Sequence, residues 1–223
     1  MISTAQVVGK DKSALQAVGT HWLHSETVSD WQALQAAAKK DGFELAIASA
    51  YRSFDRQMLI WNEKAEGKRP MFDSNGKPLD IHQLSDTEKV FAILKWSALP
   101  GGSRHHWGTD IDIYDLAAVP DDYAVQLSDE EVSDTGVFGA LHQWLDNCID
   151  CDRAFSFYRP YQTLGQGVAP ERWHLSHAAV SQRYSQCLSA DMLYQVLEQE
   201  PTMQLRDTVF AHFDKIFAQY ISC

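Results

Sequence analysis

The chain has 223 residues, of which 45% are hydrophobic and 22% are charged, and its formal net charge is -11. A chain of this length can bury a sizeable core, so we expect a single domain over residues 1–223. An acidic chain without a basic cluster repels phosphate backbones, which argues against nucleic acid as a partner.

The sequence gives no sign of membrane insertion. No apolar run approaches the roughly 20 residues that a membrane-spanning helix needs. The opening residues, MISTAQVVGKDKSALQAVG, lack a basic region followed by an apolar region and so do not resemble a signal peptide. We therefore expect a cytoplasmic protein for the chain as written, and a periplasmic one if a leader has been removed.

The first part of the chain predicts two helices with a strand between them. The segment SDWQALQAAAKKDGF predicts a helix in which Ser29 and Gln32 form a capping box and Gly42 is the stop. FELAIAS, residues 43–49, predicts a short strand. A second helix is expected to start in AYRSFDRQ and to continue through QMLIWNEKA.

The rest of the chain alternates loops, helices and short strands. Residues 66–80 predict an exposed loop or hairpin with Asn75-Gly76 at the turn. DTEKVFAILKWSAL and GVFGALHQWLDNC predict helices, whereas TDIDIYDL and AFSFYRPY predict strands. The tail from about residue 178 predicts helices with a break near Pro201. This order indicates an α+β fold, with a small antiparallel sheet flanked by helices.

The four cysteines include one C-x-x-C pair, formed by Cys148 and Cys151. A structural zinc site usually needs a second pair, or histidines at matching spacing, and none follows. We interpret these thiols as structural or incidental, with a disulfide or a redox role as the alternative.

The segment SRHHWGTDID is rich in potential metal ligands. His105 and Asp112 are seven residues apart, which is roughly 23 Å in an extended chain. Two ligands of one zinc ion each lie about 2 Å from the metal, so the chain must double back if both bind, and Gly108 permits the turn. On the following strand, Asp110 and Asp112 are expected to point to one wet face.

A second cluster of chemically active residues lies in PERWHLSH. Glu171 and His174 are three residues apart, so one helical turn would put them on the same side. His177 would continue that row, and Pro170 suits the first position of such a turn.

These two clusters are compatible with a zinc enzyme but do not require one. Such an enzyme needs three protein ligands, an open position for water and a base. His105, Asp112 and His174 could supply the ligands, and Glu171 could supply the base. With nine histidines in the chain, some clustering is expected by chance. A glutamate and a histidine at this spacing often only cap a helix.

Three separated motifs occur in one order along the chain. The pattern S-x-H-x-x-G-x-x-x-D and the later E-x-W-H are matched by Ser103, His105, Gly108, Asp112, Glu171, Trp173 and His174. The upstream pattern S-x-Y-R-S, with a glutamine five residues after the arginine, is matched by Ser49, Tyr51, Arg52, Ser53 and Gln57. Together they resemble the VanY-type D-alanyl-D-alanine carboxypeptidases. The resemblance covers about residues 30–180 and leaves about 180–223 as a helical C-terminal extension.

The resemblance implies a fold, a cofactor and a reaction. The fold would be the small α+β sheet shared by these peptidases and the hedgehog signalling domain. The cofactor would be Zn²⁺, bound by His105, Asp112 and His174. Hydrolysis would use a zinc-activated water whose proton Glu171 accepts and passes to the leaving amine.

The resemblance also implies a substrate and the residues that bind it. The substrate would be a peptide that contains D-amino acids, such as a peptidoglycan precursor. Arg52 would stabilise the developing oxyanion or hold the terminal carboxylate, since a guanidinium suits either task. Ser103 would donate a hydrogen bond to the substrate, and Gln57 is a further candidate for the same role.

Two features depart from the family pattern. The family usually has a small apolar residue at the position of Asp110. We prefer Asp112 as the ligand because its spacing from His105 fits, and we expect Asp110 to orient a histidine or to bind a cationic part of the substrate. His106 and His177 are not required by the family, and we interpret both as lying behind the ligands or at the surface.

Four further side chains have two interpretations each. Trp107 and Trp173 either wall the pocket or pack in the core. Arg159 and Tyr161 either contact the substrate or belong to a strand edge that packs and pairs with surface acids.

Two kinds of rival function remain at this point. One keeps the metal and changes the bond, as in an endopeptidase that cuts peptidoglycan cross-bridges or a dipeptidase that cleaves free D-Ala-D-Ala. The other is a zinc-bearing binding module without turnover, which a closed four-ligand site completed by Asp110 or His177 would support.

Overall fold

The structure is a computed structural model that describes residues 1–73, 77–162 and 167–222. Its helices are α1 (Thr4–Val7), α2 (Val28–Lys40), α3 (Phe54–Ala65), α4 (Asp86–Trp96), α5 (Asp129–Val132), α6 (Gly139–Asp150), α7 (Ala178–Cys187), α8 (Ala190–Glu198), α9 (Arg206–Ala211) and α10 (Phe213–Tyr220). Its strands are β1 (Leu15–Val18), β2 (His21–His24), β3 (Leu45–Ser49), β4 (Asp110–Asp115), β5 (Phe157–Tyr158) and β6 (His174–His177).

The larger of two sheets is antiparallel and has the strand order β3-β4-β6-β5. β4 lies inside this sheet, and its register sets Asp112 opposite His174 and Asp110 opposite Ser176. β1 and β2 form a separate antiparallel hairpin. The predicted α+β fold with a small antiparallel sheet and flanking helices is confirmed.

Hydroxyl caps fix the start of α3 and α4. The Ser53 side chain accepts a hydrogen bond from the Arg56 amide at the start of α3. Ser85 and Glu88 form a capping box at the start of α4. The capping box predicted for Ser29 is wrong, because a 3-10 helix leads directly into α2 at Val28 and the N-cap residue precedes Ser29.

Two predicted surface segments differ in outcome. The strand predicted in AFSFYRPY is limited to Phe157–Tyr158, because Phe155 and Ser156 have φ angles of 50° and 64°, which interrupt an extended chain. In the predicted loop at 66–80, Phe72 and Pro78 form an antiparallel bridge, as a hairpin requires. The predicted turn residues Asn75 and Gly76 lie outside the described residues.

Two apolar clusters hold the fold together. One packs α2 and α6 against the sheet, where Ile111 and Ile113 of β4 are buried. The other packs α1, α3 and α4 against the helices of the tail. Since neighbouring strand residues point to opposite faces, burying these isoleucines directs Asp110 and Asp112 to the other side of β4.

Two further predictions from the sequence concern the cysteines and membrane insertion. Cys148, Cys151 and Cys187 are free thiols, whereas Cys223 lies outside the described residues. No helix in the described part of the chain has the length and apolar character needed to cross a bilayer.

Candidate metal centre and active site

A cleft of about 640 Å³ opens beside β4 and β6. Its lining includes predicted site residues from all three motifs, namely Arg52, Ser103, His105, Asp112, Glu171 and His174. The structure therefore brings together three motifs that are far apart in the sequence. Gln57 is the one predicted site residue that does not line the cleft.

Local backbone geometry carries the three predicted ligands to one place. His105 lies in a 3-10 helix, Arg104–Trp107, that ends at Gly108 with a φ of 67°. This left-handed residue reverses the chain into β4, as the sequence predicts. The pairing of β4 with β6 then sets Asp112 beside His174.

The candidate ligand atoms have the spacing of a metal site. One ligand atom from each of His105, Asp112 and His174 lies within 4.8 Å of the others. His105 Nε2 is 3.5 Å from Asp112 Oδ2, and His174 Nδ1 is 3.3 Å from Asp112 Oδ1. Ligands about 2.0–2.1 Å from a tetrahedral zinc ion would be roughly 3.3 Å apart, which is close to the two distances that involve Asp112.

The other nitrogen of each histidine is already engaged. His105 Nδ1 lies 2.9 Å from the Ala50 carbonyl oxygen, which can only accept, so this nitrogen carries the proton. His174 Nε2 likewise donates to Asp110 Oδ1 at 2.9 Å. These bonds leave His105 Nε2 and His174 Nδ1 as the nitrogens with free lone pairs in the neutral rings.

Two atoms of this group are buried without a hydrogen-bond partner, Asp112 Oδ1 and His174 Nδ1. Leaving a buried polar atom unsatisfied costs about 1–3 kcal/mol. Two such atoms face each other here, and a cation between them would satisfy both. The residues present therefore fit a metal ion.

Three carboxylates make the surroundings of His174 attractive to positive charge. Burial alone would lower the pKa of His174, but its contacts with Asp110, Asp112 and Glu171 raise that pKa well above the ordinary value. Burial lowers the pKa of His105 to about 4, so this ring is neutral at pH 7, as a metal ligand must be.

Glu171 lies beside the candidate ligands but not on the predicted helical turn. Residues 172–173 form a single turn, in which the His174 amide donates to the Glu171 carbonyl, and β6 begins at His174. Glu171 Oε2 is 3.3 Å from His174 Nδ1, and burial raises the pKa of the Glu171 carboxyl. A largely buried carboxylate with a raised pKa that still opens to the cleft is suited to proton transfer.

Arg52 enters the cleft from the segment before α3 and is held from behind. Its guanidinium donates to Gln57 Oε1 at 2.9 Å and to Ser49 Oγ at 3.3 Å. Gln57 is fully buried and donates in turn to the Ala98 carbonyl. Gln57 thus positions Arg52 in this structure, whereas the sequence suggested a direct substrate contact.

Comparison with known proteins identifies the family. The profile of VanY, D-alanyl-D-alanine carboxypeptidase, matches residues 20–180, more than half of the chain. The chain belongs to the VanY family. A Haemophilus influenzae protein described as uncharacterized is 44% identical over 103 residues, which cover 44% of this chain and 70% of that protein.

Two solved structures extend the match. VanYB in complex with D-alanine-D-alanine is 25% identical with a TM-score of 0.50, covering 83% of this chain and 88% of that one. A mutant of the D,D-pentapeptidase VanY from the VanB-type vancomycin resistance cassette, in complex with Zn(II), is 25% identical with a TM-score of 0.50, covering 80% and 88%. The predicted VanY-type resemblance is confirmed, and the matches indicate a peptidase, a hydrolase that acts on peptidoglycan.

Of the aromatic residues considered as substrate contacts, some line the cleft of this VanY-family protein and one does not. Trp173 and Tyr161 line it, and the Tyr161 ring lies edge-on to His174 with centroids 5.0 Å apart. Trp107 instead packs in the core, where it stacks on Tyr184. Ser103 lines the cleft at the start of the 3-10 helix that carries His105.

The other polar candidates lie behind or away from the cleft. His106 accepts from the Gly101 amide and donates to the Arg52 carbonyl, so it supports the segment that carries Arg52. His177 donates to Asp30 at 2.8 Å. Arg159 does not line the cleft and pairs instead with Asp146 of α6, also at 2.8 Å.

Asp110 is buried, so the predicted wet face of β4 is wrong. The side chains of Arg104 and His174 contact Asp110, which is fully shielded from solvent. Arg104 Nε donates to Asp110 Oδ1 at 2.8 Å, and its Nη2 donates to Ser176 and Tyr158. Burial opposes ionisation of Asp110, yet the Arg104 guanidinium holds its pKa below the usual range. Sequence reasoning missed Arg104.

Proposed function

We propose that this VanY-family protein is a zinc-dependent D-alanyl-D-alanine carboxypeptidase that hydrolyses the last peptide bond of peptidoglycan peptides. One observation carries the proposal. The buried, unpartnered atoms Asp112 Oδ1 and His174 Nδ1 face each other next to His105 Nε2 and Glu171, at the floor of an open cleft. A carboxylate and two imidazoles are a donor set that zinc accepts.

The chemistry would be divided between the ion and the chain. When bound, zinc supplies a Lewis acid that lowers the pKa of water and polarises a carbonyl group. Glu171 takes the proton of the attacking water and delivers it to the amine nitrogen of the leaving D-alanine. Water attacks the carbonyl carbon, the C–N bond breaks, and the products are D-alanine and a peptide one residue shorter.

Substrate orientation would come from Arg52 and Ser103. A guanidinium binds a carboxylate through two parallel hydrogen bonds, so Arg52 would hold the free terminus of the peptide. Gln57 and Ser49 hold the guanidinium in place before the substrate arrives. Ser103 would donate its hydroxyl proton to a carbonyl oxygen of the peptide.

The structure gives no support to a closed four-ligand site. Asp110 binds Nε2 of His174, on the side of the ring away from the unpartnered Nδ1. His177 is engaged with Asp30. Neither residue completes the ligand group, which favours catalysis over a zinc-bearing binding module. An endopeptidase or a dipeptidase would use the same ligands and the same base, and would differ only in the peptide that it accepts.

The test is D-alanine release from a pentapeptide that ends in D-Ala-D-Ala. The zinc-loaded protein should release D-alanine, and Glu171→Gln should keep zinc while losing about 10²–10⁴-fold in rate, the usual contribution of general acid-base catalysis. Glu130→Gln is the matched control, because Glu130 is an exposed carboxylate at the cleft wall and its loss should leave the rate unchanged.

Other outcomes would contradict the proposal in different ways. Cleavage of cross-linked peptides without D-alanine release would favour an endopeptidase. Cleavage of free D-Ala-D-Ala alone would favour a dipeptidase. Tight zinc binding with no turnover of any of these peptides would favour the binding module.

A further inference from the structure

A lysine faces the same cleft from the end of α3. Lys64 and Gln57 are seven residues apart on this helix, which puts them on one face. Helical side chains point back toward the helix N-terminus, so the Lys64 ammonium extends toward the turn where Gln57 holds Arg52. Both Lys64 and Arg52 line the cleft, with Phe72 and Trp96 beside them.

Lys64 differs from Lys68 and Arg69 in having no acidic partner among the described residues. Arg69 pairs with Glu63, and Lys68 pairs with Glu66 at 2.5 Å. The Lys64 ammonium makes no hydrogen bond or ion pair with any residue in the described ranges. Among the described residues its ammonium therefore has no partner, and it lines the cleft where an entering molecule could pair with it.

The charges around Lys64 favour a negatively charged ligand. Burial lowers the pKa of Lys64 to about 8, with further lowering by the positive charges of Arg52 and Arg69 and an opposing effect of Glu171. Two cations that share a partly buried cleft repel each other, and aromatic walls strengthen any interaction with an anion by excluding water. An anion between Lys64 and Arg52 would relieve the repulsion.

We propose that Lys64 and Arg52 together bind the terminal carboxylate of the peptide, which makes Lys64 a determinant of carboxypeptidase specificity. The inference rests on the proposed function, because it assigns the carboxylate of that substrate to a second cation. A peptide bound through an internal bond brings a neutral amide to this place and leaves both cations without a partner. The pair therefore favours a free C-terminus over a cross-linked chain.

The experiment measures binding, so that it does not depend on turnover. Zinc-loaded Glu171→Gln protein is titrated by calorimetry with a peptide ending in D-Ala-D-Ala, as the free acid and as the carboxamide. Adding Lys64→Met should weaken binding of the free acid about tenfold or more, the usual effect of losing a charged hydrogen bond, and leave the carboxamide unchanged. Lys64→Arg should retain most of the preference.

A matched control and a pH profile separate a direct role from a structural one. Lys68→Met removes a nearby exposed lysine that does not line the cleft, and it should change neither affinity. In the protein with Glu171 intact, KM for the free acid should rise as pH increases through about 8, because the Lys64 ammonium is lost. Lys64→Met should lack this rise.

The outcomes that overturn the inference are distinct from failure of the proposed function. Equal weakening of both peptides by Lys64→Met would show a structural role, and no weakening would show no contact. Absence of a free-acid preference with Lys64 present would also overturn it. A Lys64-dependent preference without any D-alanine release would instead contradict the proposed function alone.

Discussion

Asp110 shows how far a single residue can be interpreted from sequence. The alternation of β4 predicted that Asp110 and Asp112 share a face, and spacing from His105 favoured Asp112 as the ligand. The structure has Asp110 behind His174, bonded to its Nε2, in the histidine-orienting position that was one of the two predicted roles. Arg104 could not be predicted, because its contacts with Asp110 and Ser176 depend on strand pairing.

The link from Asp110 to His174 predicts an effect on zinc affinity. Asp110→Ala should weaken zinc binding about 10–100-fold, because the imidazole loses the partner that fixes its orientation and increases its basicity. Competition with a chromophoric chelator measures this. Asp115→Ala is the control, since Asp115 is a buried aspartate of the same strand that accepts from backbone amides instead. Equal zinc affinity in the two variants would contradict the role of Asp110.

At the scale of elements, local sequence signals predicted α3 and β4, whereas strand pairing determined the secondary structure of the segment that carries Glu171 and His174. Glu171 and His174 are three residues apart, a spacing that fits a helical turn and also a single turn before a strand. β4 offers an open edge to His174, and the strand forms because its backbone groups pair there. Sequence spacing does not reveal that edge, so it predicted the proximity of Glu171 to His174 but assigned the segment to a helical turn.

Gly108 joins the segment of His105 to β4 and tolerates no side chain. Its φ is 67°, and a Cβ would lie 2.8 Å from the His24 backbone nitrogen. Gly108→Ala should lower the free energy of unfolding by roughly 2–5 kcal/mol, from backbone strain and overpacking together. Denaturant unfolding of the metal-free protein measures this loss.

Gly19 is the matched control for that substitution. It has a φ of 58°, and a Cβ there would have no atom within 4 Å. Gly19→Ala should therefore cost only the strain, about 1–2 kcal/mol. Similar losses in the two variants would show that the contact of Gly108 with the β2 hairpin is unimportant.

At the scale of the whole molecule, the tail is part of the core. The sequence predicted helices beyond residue 178 but treated them as an extension, since the family motifs end before them. In the structure, Leu193 and Phe213 lie in one buried cluster with Phe54 and Trp61, and Trp61 Nε1 donates to the Gln204 carbonyl. Helical periodicity reveals an apolar face but not its partner, so this packing was not predictable.

The packing of the tail predicts a large effect of one tail residue. Leu193 is fully buried, so Leu193→Ala should lower the free energy of unfolding by about 2–5 kcal/mol. Leu59 of α3 is 45% exposed, and Leu59→Ala should change stability by no more than about 0.5 kcal/mol. Thermal or denaturant unfolding compares the two. A small loss for Leu193→Ala would mean that the tail is a separable extension after all.

The most direct test of the account is a zinc titration of chelator-treated protein, with D-alanine release from the pentapeptide as the readout. We predict that activity rises linearly with added zinc and stops rising at one zinc ion per chain. In the variant His174→Ala, which lacks the unpartnered Nδ1, added zinc should restore little or no activity. Full activity of the metal-free protein, or an undiminished response of His174→Ala to zinc, would contradict the assignment of this site.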